Sequence, residues 1–215
     1  MSRHSAPGGG VCRRTDREPI RNDAGEIIGY RCNGCGAAHA AAAIVRSGAD
    51  LSPCGTFRFR LWRRWGADGA PAAGFVMLNP STADALSDDA TIRRCNAFAR
   101  AWGCGGIEVV NLFAFRATDP AELLRFLAAG GPAAGGPLAD AAILELPERT
   151  RGGPIVCAWG CAPTEVQGAW TRRAEVLQLL RQAGAELHRL RLTKGGEPAH
   201  PLRLPATLAP VRWVP

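Results

Sequence analysis

The chain has 215 residues, of which 47% are hydrophobic, and carries a formal net charge of +7. This length fits one medium domain with room for a small appendage, and the hydrophobic content is ordinary for a packed globular protein. No apolar run is long enough to cross a membrane, and the N-terminus lacks the apolar core of a signal peptide, so we expect a cytoplasmic protein without a membrane partner.

The basic charge has two explanations. A positive surface attracts phosphates, which favours nucleic acid or a nucleotide as the partner. Lysine and arginine together number 26, and Lys194 is the one lysine among them. An arginine excess beside much alanine and glycine is also typical of a GC-biased coding preference, which alone would supply the charge. Both explanations stay open at this point.

Residues 1–50 differ in composition from the rest and are predicted to form a cysteine-containing N-terminal extension. Cys32 and Cys35 form a Cys-x2-Cys pair of the kind found in zinc knuckles, and Cys12 and His39 would complete four ligands for a structural zinc ion. Cys54 is a substitute for either outer ligand. The alternative is a loosely folded extension with free thiols. The alanine-rich residues 37–45 predict a short helix.

Residues 51–215 are predicted to form one α/β domain, because apolar strand patterns alternate with helical ones. The first strand pattern alternates apolar and basic residues, as a half-exposed strand does. The second helix has Asp119 as its N-cap and Gly130 at its end. The predicted strands are 56–65, 72–79, 106–113, 153–160 and 185–192, the predicted helices are 88–102, 119–131, 138–146 and 165–184, and 193–213 is an irregular tail.

This alternation predicts three layers, with a mostly parallel central sheet between two layers of helices. In such sheets, ligands bind at the carboxyl ends of the strands. We therefore expect polar groups from separate segments to converge on one edge of the sheet. The groups in question are Asn79-Pro80, Asn111, Trp159-Gly160 and Lys194 at strand ends, with His200 shortly after the last strand.

Five stretches carry a family resemblance: MLNPSTAD, DDATIRRC, VVNLFAFRATDP, AWG and LTKGGEPAHPL. They resemble the signature of a bacterial and phage family of unknown function that is marked by the string LNPSTAD. The resemblance covers about residues 51–215. One departure is Ala139-Asp140, where that family usually carries an Asn-Asp pair, so any polar role of that asparagine is lost in this chain.

The order of these motifs is also distantly similar to that of the uracil-DNA glycosylase superfamily. This similarity implies a related fold and hydrolysis of an N-glycosidic bond. By position it implies that Asn79 orients the attacking water, Asn111 reads the base and His200 contacts the leaving base. The chain lacks a clear counterpart of the stacking phenylalanine and has a shorter His-Pro loop. Phe115 stands where the iron–sulfur branch has a cysteine, so no such cluster is expected.

Further residues are predicted to bind substrate around these three. Lys194 is a second candidate for stabilising the leaving base. Several residues also have a structural alternative, since Asn79-Pro80 is a common strand-to-turn sequence and Asn111 would serve equally to bond a neighbouring loop. Thr82 and Asp84 either contact substrate or close the turn. The predicted substrate-binding set is Pro80, Ser81, Thr82, Asp84, Asn111, Trp159, Gly160 and Lys194.

The sequence therefore leads to one functional hypothesis and two alternatives. The hypothesis is a nucleobase- or nucleotide-processing hydrolase of N-glycosidic bonds, resembling uracil-DNA glycosylases. The first alternative is a non-catalytic module that binds nucleic acid or nucleotides. The second is an enzyme acting on free modified nucleotides, which would need no loop to wedge open a duplex.

Overall fold

A computed structural model describes residues 17–21, 27–32, 38–40, 46–132, 134–161 and 167–215. The chain divides into two compact units, Met1–Arg46 and Ser47–Pro215, and each is described by itself. The described part of the first unit is an antiparallel sheet of β1 (Arg17–Arg21), β2 (Ile27–Cys32) and β3 (Ala38–Ala40), in that order.

The short helix predicted over residues 37–45 is wrong for its described part, Ala38–Ala40. These residues form β3, which pairs with β2 so that His39 lies opposite Tyr30. Alanine favours a helix by less than about 1 kcal/mol per residue, and tertiary context routinely overrides a preference of that size. Here, pairing with β2 decides the conformation.

The second unit contains a seven-stranded sheet in the order β10-β9-β8-β6-β7-β5-β4, which confirms the α/β class. The expectation of a mostly parallel sheet holds for its centre only. There β6 runs parallel to β7 and β8, and β8 runs parallel to β9. On the two sides, β5 is antiparallel to β7 and β10 is antiparallel to β9, so the sheet is mixed. The strands are β4 (Arg46–Leu51), β5 (Arg58–Arg64), β6 (Ala73–Met77), β7 (Gly106–Asn111), β8 (Ile155–Cys157), β9 (Leu187–Arg189) and β10 (Val211–Arg212).

Helices pack on both faces of this sheet. Side chains alternate between faces along a strand, and in β6 the neighbours Phe75 and Val76 belong to opposite core clusters. Phe75 shares its cluster with Phe98 of the first helix, whereas Val76 shares its cluster with Leu180 of the last. Among the described residues, no helix is both long and apolar enough to span a membrane. The helices are α1 (Ala90–Ala101), α2 (Pro120–Ala128), α3 (Gly136–Leu144), α4 (Leu146–Thr150) and α5 (Gln167–Gln182).

Aspartates fix the start of two helices. Asp89 is the N-cap of α1, and its Oδ1 accepts a 2.8 Å hydrogen bond from the Ile92 backbone N–H. Asp119 is the N-cap of α2, as its sequence predicted, and accepts from the Ala121 N–H over 2.9 Å. Such caps stabilise a helix by about 1 kcal/mol. The cap at Asp89 also places the first turn of α1 beside the carboxyl end of β6.

The strand β5 is more buried than its alternating pattern predicted. Arg58 and Arg63 are buried, and Arg60 and Arg64 converge on the fully buried carboxylate of Glu108 in β7 at 2.8 and 2.5 Å. Burial raises the pKa of Glu108, and the two guanidinium groups oppose that shift. A buried charge is retained only with such partners. Arg60 and Arg64 therefore have a structural role as partners of Glu108. Arg58 is buried without such a carboxylate partner, so its burial has a different cause.

The tail from residue 193 is less irregular than expected. It contains a single 3-10 turn over Pro201–Arg203 and the edge strand Val211–Arg212. The Trp213 N–H donates to the Leu187 carbonyl over 2.8 Å, which extends the pairing with β9. The end of the chain is thereby fixed to the sheet, and the segment before it lies over the carboxyl end of β8.

Candidate functional site

A cleft of about 740 Å³ lies at the carboxyl ends of the central strands. Its volume is in the range of small-molecule sites. Six segments contribute to it: the start of β5, the end of β6 with the loop after it, the end of β8, the first turn of α1, the loop after β7 and the segment around His200. The lining residues are Arg58, Met77, Leu78, Asn79, Ser81, Thr82, Asp89, Ala90, Thr91, Ile92, Ala117, Thr118, Trp159, Gly160, Cys161, His200, Leu202 and Arg203.

Asn79 lines the cleft with its amide held in one orientation. Its Nδ2 donates to the carbonyl oxygens of Pro80 at 3.0 Å and Ala117 at 2.9 Å. Both amide hydrogens are thus used, and Oδ1 is left as the acceptor. In the sequence, this position is marked by the Asn-Pro turn. In the structure, the turn is held to the loop after β7 because the Ala117 N–H also donates to the Pro80 carbonyl. An acceptor oxygen held in this way is suited to bind a water O–H.

His200 lines the same cleft and presents a neutral imidazole. It caps the turn over Pro201–Arg203, and its Nδ1 accepts from the Leu202 N–H over 3.4 Å. Burial lowers the pKa of His200, with a smaller opposing effect from the Asp89 charge. A neutral ring that accepts at Nδ1 carries its proton on Nε2. His200 is therefore a hydrogen-bond donor at neutral pH.

The end of β8 holds the His200 segment in place. Gly160 adopts a left-handed backbone with φ +77°, and its N–H donates to the Pro198 carbonyl over 2.8 Å. The indole N–H of Trp159 donates to Glu197 Oε2 over 2.7 Å, and Glu197 also pairs with Arg173. Trp159 and Gly160 thus contribute both to the wall of the cleft and to the position of His200.

Arg58 is the residue at this cleft whose role the sequence did not reveal. Its side chain is 2% exposed, and it donates to the Ala83 carbonyl at 2.9 Å and to Asn111 Oδ1 at 3.3 Å. No carboxylate forms a salt bridge with it in the described part of the chain, and its Nε has no hydrogen-bond partner there. Burial lowers the pKa of Arg58 to about 10, so it stays charged at neutral pH.

Asn111 lies at the end of β7 opposite Met77, behind the residues that form the surface of the cleft. It is buried, and the hydrogen bond from Arg58 occupies its Oδ1. Its Nδ2 has no hydrogen-bond partner among the described residues. Asn111 thus reaches the cleft through Arg58 rather than directly. The sequence placed it at the correct edge but gave no indication of this pairing.

The other predicted substrate-binding residues divide into two groups. Ser81 and Thr82 line the cleft. Pro80, Asp84 and Lys194 do not. Pro80 is buried, and the Asp84 carboxylate accepts from the backbone N–H groups of residues 86 and 87 at 2.8 Å, which closes the turn. Lys194 is exposed in the turn between β9 and His200.

The predicted zinc ligands lie largely outside the described residues. Cys12 and Cys35 fall in undescribed segments. Cys32 ends β2 and His39 lies in the neighbouring strand β3, where the structure describes their backbone. In the described ranges, no group of three or more His, Cys, Asp or Glu side chains is placed to hold a metal ion. The zinc hypothesis stays a prediction.

The charges that line the cleft are Arg58, Arg203 and Asp89. Asp89 is the one carboxylate among the described lining residues, and its Oδ1 already caps α1. His200 is neutral, so the balance is positive. This site offers hydrogen-bond donors, a buried cation and a fixed acceptor, and it is equipped to bind and polarise an anionic or polar ligand.

Comparison with known proteins places the chain in a family. The family model described as "Protein of unknown function (DUF1643)" matches residues 58–202. This range is more than half of the 215 residues and includes every lining residue of the cleft except Arg203. No curated protein and no solved structure matches the chain. The chain belongs to the DUF1643 family.

Proposed function

We propose that this cleft hydrolyses the N-glycosidic bond of a nucleobase-bearing substrate, in the manner of a uracil-DNA glycosylase-like enzyme. The observation that carries the proposal is that Asn79 and His200 line one cleft with complementary free groups. Asn79 keeps an acceptor oxygen for water, and His200 keeps an Nε2–H donor for the leaving base. These two groups come from segments that are far apart in the chain.

The reaction would proceed as follows. A water oxygen forms a bond to C1′ of the sugar, and the bond from C1′ to the base nitrogen breaks. The electron pair of that bond leaves with the base, and the water loses one proton to the base or to solvent. Positive charge develops on the sugar and negative charge on the base in the transition state.

Each side chain has a limited part in this chemistry. The Asn79 amide has no useful basicity, so it orients the water and does not deprotonate it. His200, as a neutral donor, stabilises the negative charge on the base, and help of this kind is typically worth about 10²–10⁴-fold in rate. Most of the rate enhancement would come from positioning and electrostatic stabilisation.

A second candidate function is a non-catalytic nucleotide-binding module. The observation that favours it is the pairing of Asn111 with Arg58. In the hydrolase hypothesis, Asn111 reads the base, yet its acceptor oxygen is engaged and it lies behind the lining residues. A module that only binds its ligand needs no base-reading amide and uses Arg58 directly.

Base release distinguishes these two functions. The protein is incubated with oligonucleotides containing uracil, hypoxanthine or modified pyrimidines, single- and double-stranded, and with the matching free nucleotides. Chromatography detects the free base. The hydrolase proposal predicts release that falls about 100-fold or more in both Asn79→Ala and His200→Asn, and not in the distant surface variant Arg181→Gln. Saturable binding without release from any substrate would support the binding module instead.

A further inference from the structure

The side chains around Arg58 indicate what kind of ligand the cleft takes. Taking a charged group out of water costs several kcal/mol unless a partner compensates it. Arg58 is 2% exposed and has two neutral oxygen acceptors, Ala83 O and Asn111 Oδ1. The Asp89 charge acts favourably on Arg58 without forming a salt bridge with it, so no carboxylate among the described residues is in contact with this guanidinium. A buried cation that lines a cleft in this state is suited to an anionic ligand.

A second observation points the same way. Two buried hydrogen-bond donors, Arg58 Nε and Asn111 Nδ2, have no partner among the described residues. They belong to two side chains that are hydrogen-bonded to each other. Buried donors in folded proteins are nearly always paired. Because Asn111 does not line the cleft, the donor that bears on a ligand is the unpaired Nε of Arg58, which fits a ligand group that carries acceptor oxygens.

The surroundings of Arg58 contribute further positive potential. Ala90 and Thr91, in the first turn of α1, line the cleft, and helix N-termini attract anions through their free N–H groups. Arg203 also lines the cleft. Asp89 opposes these groups because its carboxylate is the N-cap of the same helix. Its charge therefore lowers the affinity of the cleft for an anion.

The burial of Arg58 also restricts the form of the anion. A phosphodiester inside a polymer continues on both sides, so it needs more room than an end group to approach a guanidinium that is 2% exposed. A terminal phosphate is an end group with three acceptor oxygens and about two negative charges. The cleft volume of about 740 Å³ is in the range that accommodates a ligand the size of a nucleotide.

We propose that the cleft binds a free nucleoside monophosphate, with Arg58 pairing with its terminal phosphate and Asn79 and His200 facing its glycosidic bond. The assignment of the glycosidic bond rests on the proposed function, whereas the assignment of the phosphate rests on Arg58 and the positive groups around it. Guanidinium groups bind phosphate oxygens through paired, charge-assisted hydrogen bonds. A phosphate would thus give the Arg58 guanidinium the anionic partner that it lacks among the described residues.

Calorimetry with matched probes tests the phosphate assignment. The probes are inorganic phosphate, the common nucleoside 5′-monophosphates, the corresponding nucleosides, and a short oligonucleotide without a terminal phosphate. We expect nucleotides to bind about 10- to 100-fold more tightly than nucleosides, the range typical of a charge-assisted hydrogen bond. The oligonucleotide should compete poorly, because its internal phosphodiesters need more room than an end group to approach Arg58. Equal affinity for nucleotide and nucleoside, or strong competition by the oligonucleotide, would overturn the assignment.

Two variants assign the effect to the proposed residues. Arg58→Met should abolish the preference for the phosphate. Asp89→Asn should strengthen it several-fold, because asparagine is as good an N-cap as aspartate and carries no charge. Asp89→Asn keeps the test decisive where Arg58→Met fails to fold. Arg181→Gln, on the exposed face of α5, should leave binding unchanged. A preference that is unaltered in Asp89→Asn contradicts the proposal.

The two proposals fail in different ways. Base release from nucleosides and nucleotides at equal efficiency would leave the hydrolase standing and remove the phosphate assignment. A preference for nucleotides that depends on Arg58, without release of any base, would leave the phosphate assignment standing and remove the hydrolase.

Discussion

Gly160 lies beside His200 and leaves little room for a side chain of its own. A Cβ built on Gly160 would come within 3.3 Å of the His200 Cβ, and Gly160 has the left-handed φ of +77° that other residues adopt only at a cost. We therefore expect Gly160→Ala to destabilise the fold and to displace His200. The left-handed backbone alone accounts for about 1–2 kcal/mol of lost unfolding free energy. Urea denaturation measures the total.

A matched control separates the two parts of this effect. Gly184, at the end of α5, has a similar φ of +71°, and a Cβ there has no neighbour within 4 Å. Gly184→Ala should therefore show the backbone cost without the contact with His200, and it should leave base release unchanged. Equal loss of unfolding free energy in both variants, with equal activity, would show that the contact has no consequence.

The stability of the protein should depend on the protonation of His200. Burial lowers its pKa in the folded state below the ordinary value of about 6.5. The unfolded chain then binds the proton more readily than the folded protein does. The contribution of His200 to the unfolding free energy is therefore fully present above about pH 6.5 and is lost as the pH falls from there toward the pKa of the folded state. His200→Asn retains an acceptor for the Leu202 N–H and has no titrating ring.

Urea denaturation at about pH 7.5 and about pH 5.5 checks this dependence on His200. Wild-type protein should lose more unfolding free energy between the two pH values than His200→Asn does. The same loss in both proteins would mean that other groups account for the pH dependence.

Replacing Asn79 with aspartate should lower the unfolding free energy. The Asn79 Nδ2 donates to two carbonyl oxygens, at 3.0 and 2.9 Å, and a carboxylate oxygen in its place would face them without a hydrogen. We expect a loss of about 1–3 kcal/mol, as for other partly buried polar groups that lose their partners. The aspartate should also have a raised pKa, so the variant loses stability as the pH rises through that value.

The comparison with Asn79→Ala isolates the charge in this prediction. Alanine removes the same hydrogen bonds but does not titrate, so its deficit in unfolding free energy should stay constant with pH. Chemical denaturation of both variants at about pH 5 and about pH 8 provides the measurement. An Asn79→Asp variant as stable as wild type at the higher pH would show that the amide is not held as described.

The residues at the strand ends show how much of the cleft could be predicted from the sequence. Asn79, Trp159 and Gly160 were placed correctly, because apolar runs mark buried strands and the carboxyl ends of parallel strands share one edge. Asp119 was also identified, since an N-cap followed by proline is a local signal. Local patterns of this kind need no knowledge of distant contacts.

Arg58 shows where such reasoning stops. Arg58 and Arg60 both lie between two apolar residues of the alternating strand pattern. Arg60 nevertheless pairs with Glu108, whereas Arg58 lines the cleft. The difference depends on residues about fifty positions away in the chain, which no local pattern specifies. The helix predicted over Ala38–Ala40 was wrong for a related reason, because pairing with β2 overrode the helix propensity of alanine.

The N-terminal cysteines give a prediction that is independent of the cleft. If Cys12, Cys32, Cys35 and His39 form a structural site, purified protein should contain about one equivalent of zinc per chain. Elemental analysis measures it, and Cys32→Ser should lower the content. Chelation should leave the cleft's ligand binding intact, because Asn79 and His200 belong to the other compact unit. Metal-free protein prepared without chelators would contradict the zinc site.

A crystal structure with a bound nucleotide analogue would show whether one ligand contacts Asn79, His200 and Arg58 together. A suitable analogue is a C-nucleotide monophosphate, whose carbon–carbon glycosidic bond resists hydrolysis. We expect electron density in the cleft with the phosphate on Arg58, C1′ beside Asn79 Oδ1 and the base edge at His200 Nε2. Density for the analogue outside the cleft, or with its base directed toward Arg58, would rule out this binding mode.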